Sequence, residues 1–302
     1  MVPIAVVFGR LPARVLAYPA ISPRVTTLGR VAALYVHPVK SLGGQRLDAA
    51  HVGDLGIARD RRWMLVDDDG GFLTQRVHPR MALAHATLDG ATGVRVTAPD
   101  AEPLRLVPPP PDAPRRRVQV WDDTVDAQCH AASVDAWFTR AIGLSCHLVY
   151  MPDDVRRPVD PTYAGPGDRA AFSDAFPLLV ASLESLADLN ARLAERGVPS
   201  VGIERFRPNI VVEGTGAPFA EDAWTRVDVG EAALHVVKPC ARCVLTTVDP
   251  ETAVKSPRGE PLRTLATYRT RAGKTYFAQN ALVRRGGVVR VGDVVHASHE
   301  AQ

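Results

Sequence analysis

The sequence lacks several features that would place it in a specialised class of protein. It has only 4 cysteines in 302 residues, too few for a disulfide scaffold in a chain of this length. No run of about 18 apolar residues occurs, so no membrane span is expected. The formal net charge of +3 is too small to indicate a nucleic-acid partner. A hydrophobic content of 46% and a charged content of 23% are typical of a globular protein of about two domains.

The first residues also lack the order of a signal peptide. The basic residues Arg10 and Arg14 follow the apolar run that opens the chain, whereas a signal peptide has its basic residues first. We therefore expect residues 1–29 to form an extension outside the folded domains and the protein to be cytoplasmic. Residues 299–302 are expected to form a short tail.

The first half of the chain has the pattern of a β-rich domain over residues 30–150. Short segments rich in β-branched and apolar residues alternate with turn sequences such as DDDGG at 67–71. The proline-rich segment 108–114 cannot donate to a sheet ladder and is predicted to be an exposed connection. The predicted strands are 30–37, 61–67, 93–99 and 116–122.

Two helices are predicted, one with Ser133 as its N-cap and one from Ser182 to Gly197 with leucines on one face. Between them, residues 151–170 are rich in proline, glycine and charge and indicate a domain junction. Few helices and many short strands predict a mainly β fold of the α+β class, with barrel-like sheets. The predicted strands of the second half are 209–214, 225–230, 234–238 and 287–297.

The segment KPCARC, residues 238–243, has the least ordinary chemistry in the chain. Arg242 lies between the two thiols, beside Cys243, where it would favour a thiolate and attract an anion. A structural zinc site normally needs four ligands, and the nearest downstream histidine is His296. A redox dithiol is typical of a helix start, whereas the β-branched sequence VLTTV follows the second cysteine. A single thiolate ligand of a soft metal and a reactive thiol both remain open.

In a longer context this segment resembles the MOSC domain. The matching sequences are KPCARCVLTTVDPETA (238–253) and RFRPNIVVEG (205–214). Upstream, VHPVKSLGG (36–44) and RDRRWMLVDDDGGFLTQR (59–76) are similar to the N-terminal β-barrel domain that precedes it. The nearest relatives implied are the mitochondrial amidoxime-reducing component and its bacterial counterparts. The resemblance implies an N-terminal β-barrel domain at 30–150 and a MOSC β-barrel domain at 151–298.

The resemblance implies a molybdenum cofactor, in which a phosphorylated pterin holds the metal through sulfur. In that family the second cysteine of the pair binds molybdenum, which here is Cys243, while Cys240 packs beneath the site; a thiolate suits this soft metal. Asp249 is a candidate catalytic proton relay, although an aspartate before proline is equally typical of a turn. The residues implied to bind the cofactor are Lys40, Ser41, Arg61, Ser173, Asp174, Arg207, Asn209, Ala241, Arg242 and Asn280.

The implied activity is the reduction of small N-hydroxylated substrates. No cysteine follows Cys243, so no C-terminal iron–sulfur cluster is expected. Electrons would come from a separate ferredoxin- or cytochrome-type protein with its reductase. The alternatives are a non-catalytic cofactor carrier or sulfur-transfer protein, and a metal-free enzyme that pairs Cys240 with Cys243 as a disulfide. Pyridoxal phosphate binding is also attributed to the family.

Overall fold

The computed structural model describes residues 25–299, which form 19 β-strands and three α-helices. The strands are β1 (Val25–Val36), β2 (Gln45–Leu47), β3 (Ala49–Gly53), β4 (Gly56–Ile57), β5 (Trp63–Val66), β6 (His85–Asp89), β7 (Gly93–Ala98), β8 (Ala101–Leu106), β9 (Arg115–Val120), β10 (Asp123–Cys129), β11 (His147–Tyr150), β12 (Leu178–Ser182), β13 (Ile210–Glu213), β14 (Arg226–Val229), β15 (Ala232–Ala241), β16 (Thr270–Arg271), β17 (Lys274–Arg285), β18 (Gly287–Arg290) and β19 (Val294–Ser298). The helices are α1 (Ala132–Ile142), α2 (Leu183–Glu195) and α3 (Leu262–Ala266). The predicted mainly β fold is confirmed.

Seven strands close into a barrel. Their hydrogen-bonded order is β12, β13, β1, β19, β14, β15 and β17, and β17 pairs with β12 to complete the ring. The pair β12–β13 is parallel, and the other pairs in the ring are antiparallel. Closure leaves no free edge in the ring, which removes the usual route to aggregation of a β-sheet. Buried residues such as Leu34, Ile210 and Leu234 belong to one continuous apolar cluster.

The first strand belongs to this barrel. β1 pairs with β13, where Leu34 lies opposite Ile210, and with β19 on its other side. Residues 25–29 are part of β1, and the rest of the predicted extension lies outside the described residues. The second half of the chain also contributes a strand to the first, since β18 pairs with β3. The sheets therefore exchange strands across the predicted boundary at residue 151.

The remaining strands of the first half form smaller sheets. A four-stranded sheet has the order β5-β11-β10-β9, and a three-stranded sheet has the order β6-β7-β8. Helix α1 packs between them, and its residues Trp137 and Phe138 join a cluster with Trp63, Val94 and Leu148. These apolar contacts fix the N-terminal sheets against one another.

The helix predictions were right in position but only one was right about its cap. Ser182 caps α2, since its Oγ accepts a hydrogen bond from the amide of Ser185 at 3.2 Å. In contrast, α1 begins at Ala132 after Ala131, so Ser133 lies inside the first turn and is not the N-cap. No helix among residues 25–299 is long and apolar enough to cross a membrane.

Candidate active site

A cavity of about 280 Å³ lies where the N-terminal sheets meet the barrel. Segments from both halves of the chain form its walls, so neither half builds it alone. All the residues predicted to bind the cofactor line it, together with Cys243. They are Lys40, Ser41, Arg61, Ser173, Asp174, Arg207, Asn209, Ala241, Arg242 and Asn280.

Three lining residues have an unusual backbone conformation. Ser41, Arg61 and Arg207 have φ angles of 65°, 47° and 54°, in the left-handed region that residues other than glycine seldom adopt. Such conformations persist where the surrounding contacts enforce them, and they cluster at functional sites. Here the local conformation brings three polar side chains from distant segments to one cavity.

A network of hydrogen bonds holds Arg61 and Asn209 in place. Arg61 contacts the carboxylate of Asp60 and donates to Asn209 Oδ1 at 3.3 Å and to the carbonyl of Arg207 at 3.1 Å. The buried Asn209 also accepts from the amide of Leu179 at 3.1 Å and donates to the carbonyl of Tyr35 at 3.3 Å. Asn209 therefore ties three segments together as well as lining the cavity.

Six cationic side chains line the cavity, and Asp174 supplies the single carboxylate among its described lining residues. Lys40 is 5% exposed, and its Nζ donates to the carbonyl of Phe172 at 2.8 Å and to Asp174 Oδ1 at 2.5 Å. Burial lowers the pKa of Lys40 to about 8, although Asp174 acts in the opposite direction. This excess of positive charge suits an anionic ligand. The cations are Lys40, Arg61, Arg76, Arg207, Lys238 and Arg242.

Several polar atoms in the lining have no partner within the protein. In residues 25–299, eight buried side-chain nitrogen or oxygen atoms lack a hydrogen bond, and three of them are Ser173 Oγ, Arg207 Nη2 and Arg242 Nε. Burial, followed by the charge of Arg61, lowers the pKa of Arg207 to about 9. Leaving such groups unpaired is costly, and an oxygen-rich anion would satisfy them. The residues present therefore fit a phosphorylated, hydrogen-bonding cofactor.

The two thiols of KPCARC have different surroundings. Cys243 is exposed and precedes a short 3-10 helix, Val244–Thr247. Cys240 is partly buried, and its Sγ accepts a hydrogen bond from Arg242 Nη1 at 2.9 Å. Both thiols are free. Arg242 thus contacts the first cysteine, whereas its sequence position had indicated an effect on the second.

The described residues contain no cluster of three or more His, Cys, Asp or Glu side chains arranged to hold a metal ion. A zinc site built from four protein ligands is therefore not formed around the two cysteines. A metal held by one thiolate, with its other ligands supplied by a cofactor, needs no such cluster.

Comparisons with known proteins identify the family of the chain. The model of the MOSC N-terminal beta barrel domain matches residues 28–145, and that of the MOSC domain matches residues 167–296. Mitochondrial amidoxime-reducing component 1 of Mus musculus is 34% identical over 90% of this chain and 83% of that protein. The chain belongs to the MOSC-domain family. The Homo sapiens protein of the same name is 33% identical over 89% of this chain and 83% of its own length.

A third relative, mitochondrial amidoxime-reducing component 1 of Danio rerio, is 35% identical over 90% of this chain and 86% of its own length. The resemblance drawn from the motifs is confirmed. Because these relatives are named as mitochondrial, the cytoplasmic location of this MOSC-domain protein stays a prediction.

The structure does not bring Asp249 into the cavity of this MOSC-domain protein. Its Oδ2 lies 2.6 Å from Arg205 Nη2, and its Oδ1 accepts from the amides of Glu251 at 3.0 Å and Thr252 at 2.9 Å. Both carboxylate oxygens are thus used to cap a turn and to form an ion pair. The turn interpretation of Asp249 accounts for these contacts, and we do not assign it a proton-relay role.

Sequence reasoning missed three polar lining residues, Thr74, Arg76 and Lys238. The Arg76 guanidinium lies 4.1 Å from the centre of the Trp121 ring, and the Lys238 ammonium lies 4.2 Å from that of Tyr163. A signal was present, since Arg76 ends the upstream family motif and Lys238 begins KPCARC. Their aromatic partners are distant in sequence, which hid the placement.

A second cavity of about 300 Å³ shares Arg207 and Leu245 with the first. Its wall includes His37 and Gly44, and a Cβ on Gly44 would lie 2.3 Å from His37 Nδ1, so a side chain there would collide with the ring. Burial, reinforced by the positive charges of Arg207 and Arg61, keeps the pKa of His37 well below its usual range. The motif VHPVKSLGG thus contributes to both cavities.

Proposed function

We propose that this protein is a molybdenum-cofactor-dependent reductase of N-hydroxylated compounds that receives electrons from a separate protein. The observation that carries the proposal is one cavity that combines an exposed thiol, six cations and three buried polar atoms without partners. The names of the relatives, amidoxime-reducing components, support the class of reaction.

Each lining residue has a role that follows from its chemistry. Cys243 would hold molybdenum, since a thiolate is the ligand type that a soft metal prefers. Lys40, Arg61, Arg207 and Arg242 would bind phosphate and pterin oxygens, because guanidinium and ammonium groups form strong charge-assisted hydrogen bonds to such acceptors. The remaining positions are suited to weaker contacts. They are Ser41, Ser173, Asp174, Asn209, Ala241 and Asn280.

In this proposal the protein binds and orients the cofactor and the substrate, while the cofactor, when bound, supplies the two-electron redox chemistry. The balanced reaction is R–NHOH + 2e⁻ + 2H⁺ → R–NH₂ + H₂O. Lys40 holds its proton at neutral pH because its pKa is about 8, so it remains a cation available to the ligand. Arg157 contributes indirectly, since its buried guanidinium donates to the carbonyls of Ala171 at 3.0 Å and Ser173 at 2.5 Å and so fixes the loop that carries Ser173 and Asp174.

The test is to purify the protein from cells supplied with molybdate and to measure metal and pterin. We expect about one molybdenum and one pterin per chain. Cys243→Ala should lose molybdenum, whereas the matched variant Cys240→Ala should retain it. Bound zinc without pterin, or equal loss from both variants, would contradict the assignment.

A second measurement separates a reductase from a cofactor carrier or sulfur-transfer protein. The loaded protein is reduced chemically and offered an amidoxime or a hydroxylaminopurine. We expect the amidine or the aminopurine as the product. A fully loaded protein that leaves both compounds unchanged would instead be a carrier.

A further inference from the structure

The three most exposed large apolar side chains in the described part of the chain belong to segments that are connected to lining residues of the active-site cavity. Val77, Val254 and Val244 are 65%, 61% and 50% exposed. Val77 follows the lining residue Arg76, and Val244 follows Cys243. Val254 precedes Lys255, whose Nζ donates to the carbonyl of Arg76 at 2.8 Å. Two of the three valines thus follow lining residues directly and the third lies in a loop bonded to one of these segments, which makes this part of the surface a candidate interaction site.

The loop that presents Val254 is held in a fixed shape. The amide of Ser256 donates to the carbonyl of Thr247 at 2.8 Å, which ties the end of the loop to the 3-10 helix that follows Cys243. The amide of Asp249 donates to the carbonyl of Val254 at 2.9 Å, and the Asp249 carboxylate pairs with Arg205. These contacts hold the loop in a shape that leaves Val254 exposed. The contacts of Asp249 therefore help to fix the shape of this loop.

Two cations border the valines. Lys255 is exposed, and Arg76, which lines the cavity, directly precedes Val77. Glu251 is the exposed carboxylate of the same loop, so the border is positive on balance. A small apolar centre with a charged border is typical of transient electron-transfer encounters, which bury less than about 1,200 Å². A partner with an acidic face complements such a surface.

We propose that Val77, Val244 and Val254, with Arg76 and Lys255, form the docking surface for an acidic one-electron carrier protein. The inference rests on the proposed function, because the balanced reduction consumes two electrons that an N-hydroxylated substrate does not carry. Val244 is covalently next to Cys243, so a carrier docked on it lies beside the thiol. The chemistry of the partner follows from the site: a redox protein with a negative face and a small apolar contact.

The test compares Val254→Asp and Val244→Asp with Val107→Asp, a matched control at a valine that is 42% exposed and outside the cavity lining. The probes are a plant-type [2Fe–2S] ferredoxin and a soluble b-type cytochrome, each kept reduced by its own reductase. For at least one probe we expect both surface variants to raise the dissociation constant and the KM about tenfold or more, and the control to change them less than about twofold. Turnover driven by dithionite should be unchanged in all three variants.

Several results would overturn the docking surface. They are an equal effect of Val107→Asp, a wild-type protein that turns over with dithionite yet binds neither carrier, and surface variants that lose molybdenum or slow the dithionite reaction. A change of oligomeric state in Val254→Asp would identify a self-association contact instead. Failure of the proposed function gives a different result, since a wild-type protein without molybdenum or dithionite-driven turnover fails before any carrier is added.

Discussion

The two cavities that meet at Arg207 have nearly equal volumes, about 280 and 300 Å³, but they use their polar groups differently. In the second cavity Tyr35 donates to Glu204 at 2.8 Å, and Arg205 pairs with Asp249 at 2.6 Å. In the described lining of the second cavity, the buried side-chain atoms without a partner are His37 Nδ1 and the Nη2 of the shared Arg207. In the first cavity, cations outnumber carboxylates and several donors are unpaired. Unpaired donors, more than volume, therefore distinguish the cavity that we propose to bind an anionic ligand.

The strongest test of this comparison removes the arginine that both cavities share and, in a separate variant, an arginine that lines only the second cavity. Arg207→Gln deletes the guanidinium with the unpaired nitrogen, and Arg205→Gln deletes the paired one. We expect Arg207→Gln to weaken retention of the cofactor about 30-fold, because a charge-assisted hydrogen bond to a buried anion is lost. Retention is measured as the rate of molybdenum loss during dialysis.

Arg205→Gln serves as the control and should retain the cofactor within about twofold, since a partly exposed ion pair contributes about 0–1 kcal/mol. Equal losses from the two variants would show that the difference between the cavities has no bearing on binding.

The next expected effect concerns pH. Lys40 is protonated below its pKa of about 8 and loses its charge above that value, so affinity for an anion should fall as the pH rises. We expect up to about a tenfold loss of affinity between pH 7 and pH 9, measured with sulfate as the probe because its charge is constant over this range. In Lys40→Arg the side chain stays charged, so the loss centred near pH 8 should disappear and the weaker loss that Arg207 causes near pH 9 should remain. Persistence of the same dependence in Lys40→Arg would assign it to another group.

The smallest expected effect lies in the second cavity. Tyr35→Phe removes the hydrogen bond to Glu204 and should lower the free energy of unfolding by about 1 kcal/mol. Cofactor retention should stay within about twofold of the wild type. Chemical denaturation measures the first quantity and molybdenum content the second. If this variant loses the cofactor as readily as Arg207→Gln, the two cavities act as one site.

Much of the fold was predictable from local patterns. Patterns of β-branched and apolar residues identified nine of the 19 described strands, and Ser182 correctly marked the start of α2. The segment 287–297 was predicted as one strand but forms β18 and β19, because the turn at Val291–Asp293 interrupts it. Gly292 has a φ of 89° in that turn. The turn was not predicted because the valines on both sides of it have a high strand propensity.

The site residues that belong to family motifs were predictable, whereas those placed by contacts with distant segments were not. The family resemblance implied Cys243 and the ten lining residues that the structure gathers in one cavity. Arg76 was missed because its guanidinium packs on the ring of Trp121, which lies far along the chain in the turn between β9 and β10. For Asp249 the sequence left a proton relay and a turn open, because it does not show the ion pair with Arg205 that accompanies the turn.

The position of β1 in the barrel limits how one domain could be exchanged without the other during evolution. The described part of the chain begins with a strand of the seven-stranded barrel, continues through the N-terminal sheets and then completes the barrel, so the domains are interlocked. Expressing residues 151–302 by themselves would leave β13 and β19 with unpaired edges, open to other chains. Any genetic exchange that replaced one domain would have to carry this strand with the other.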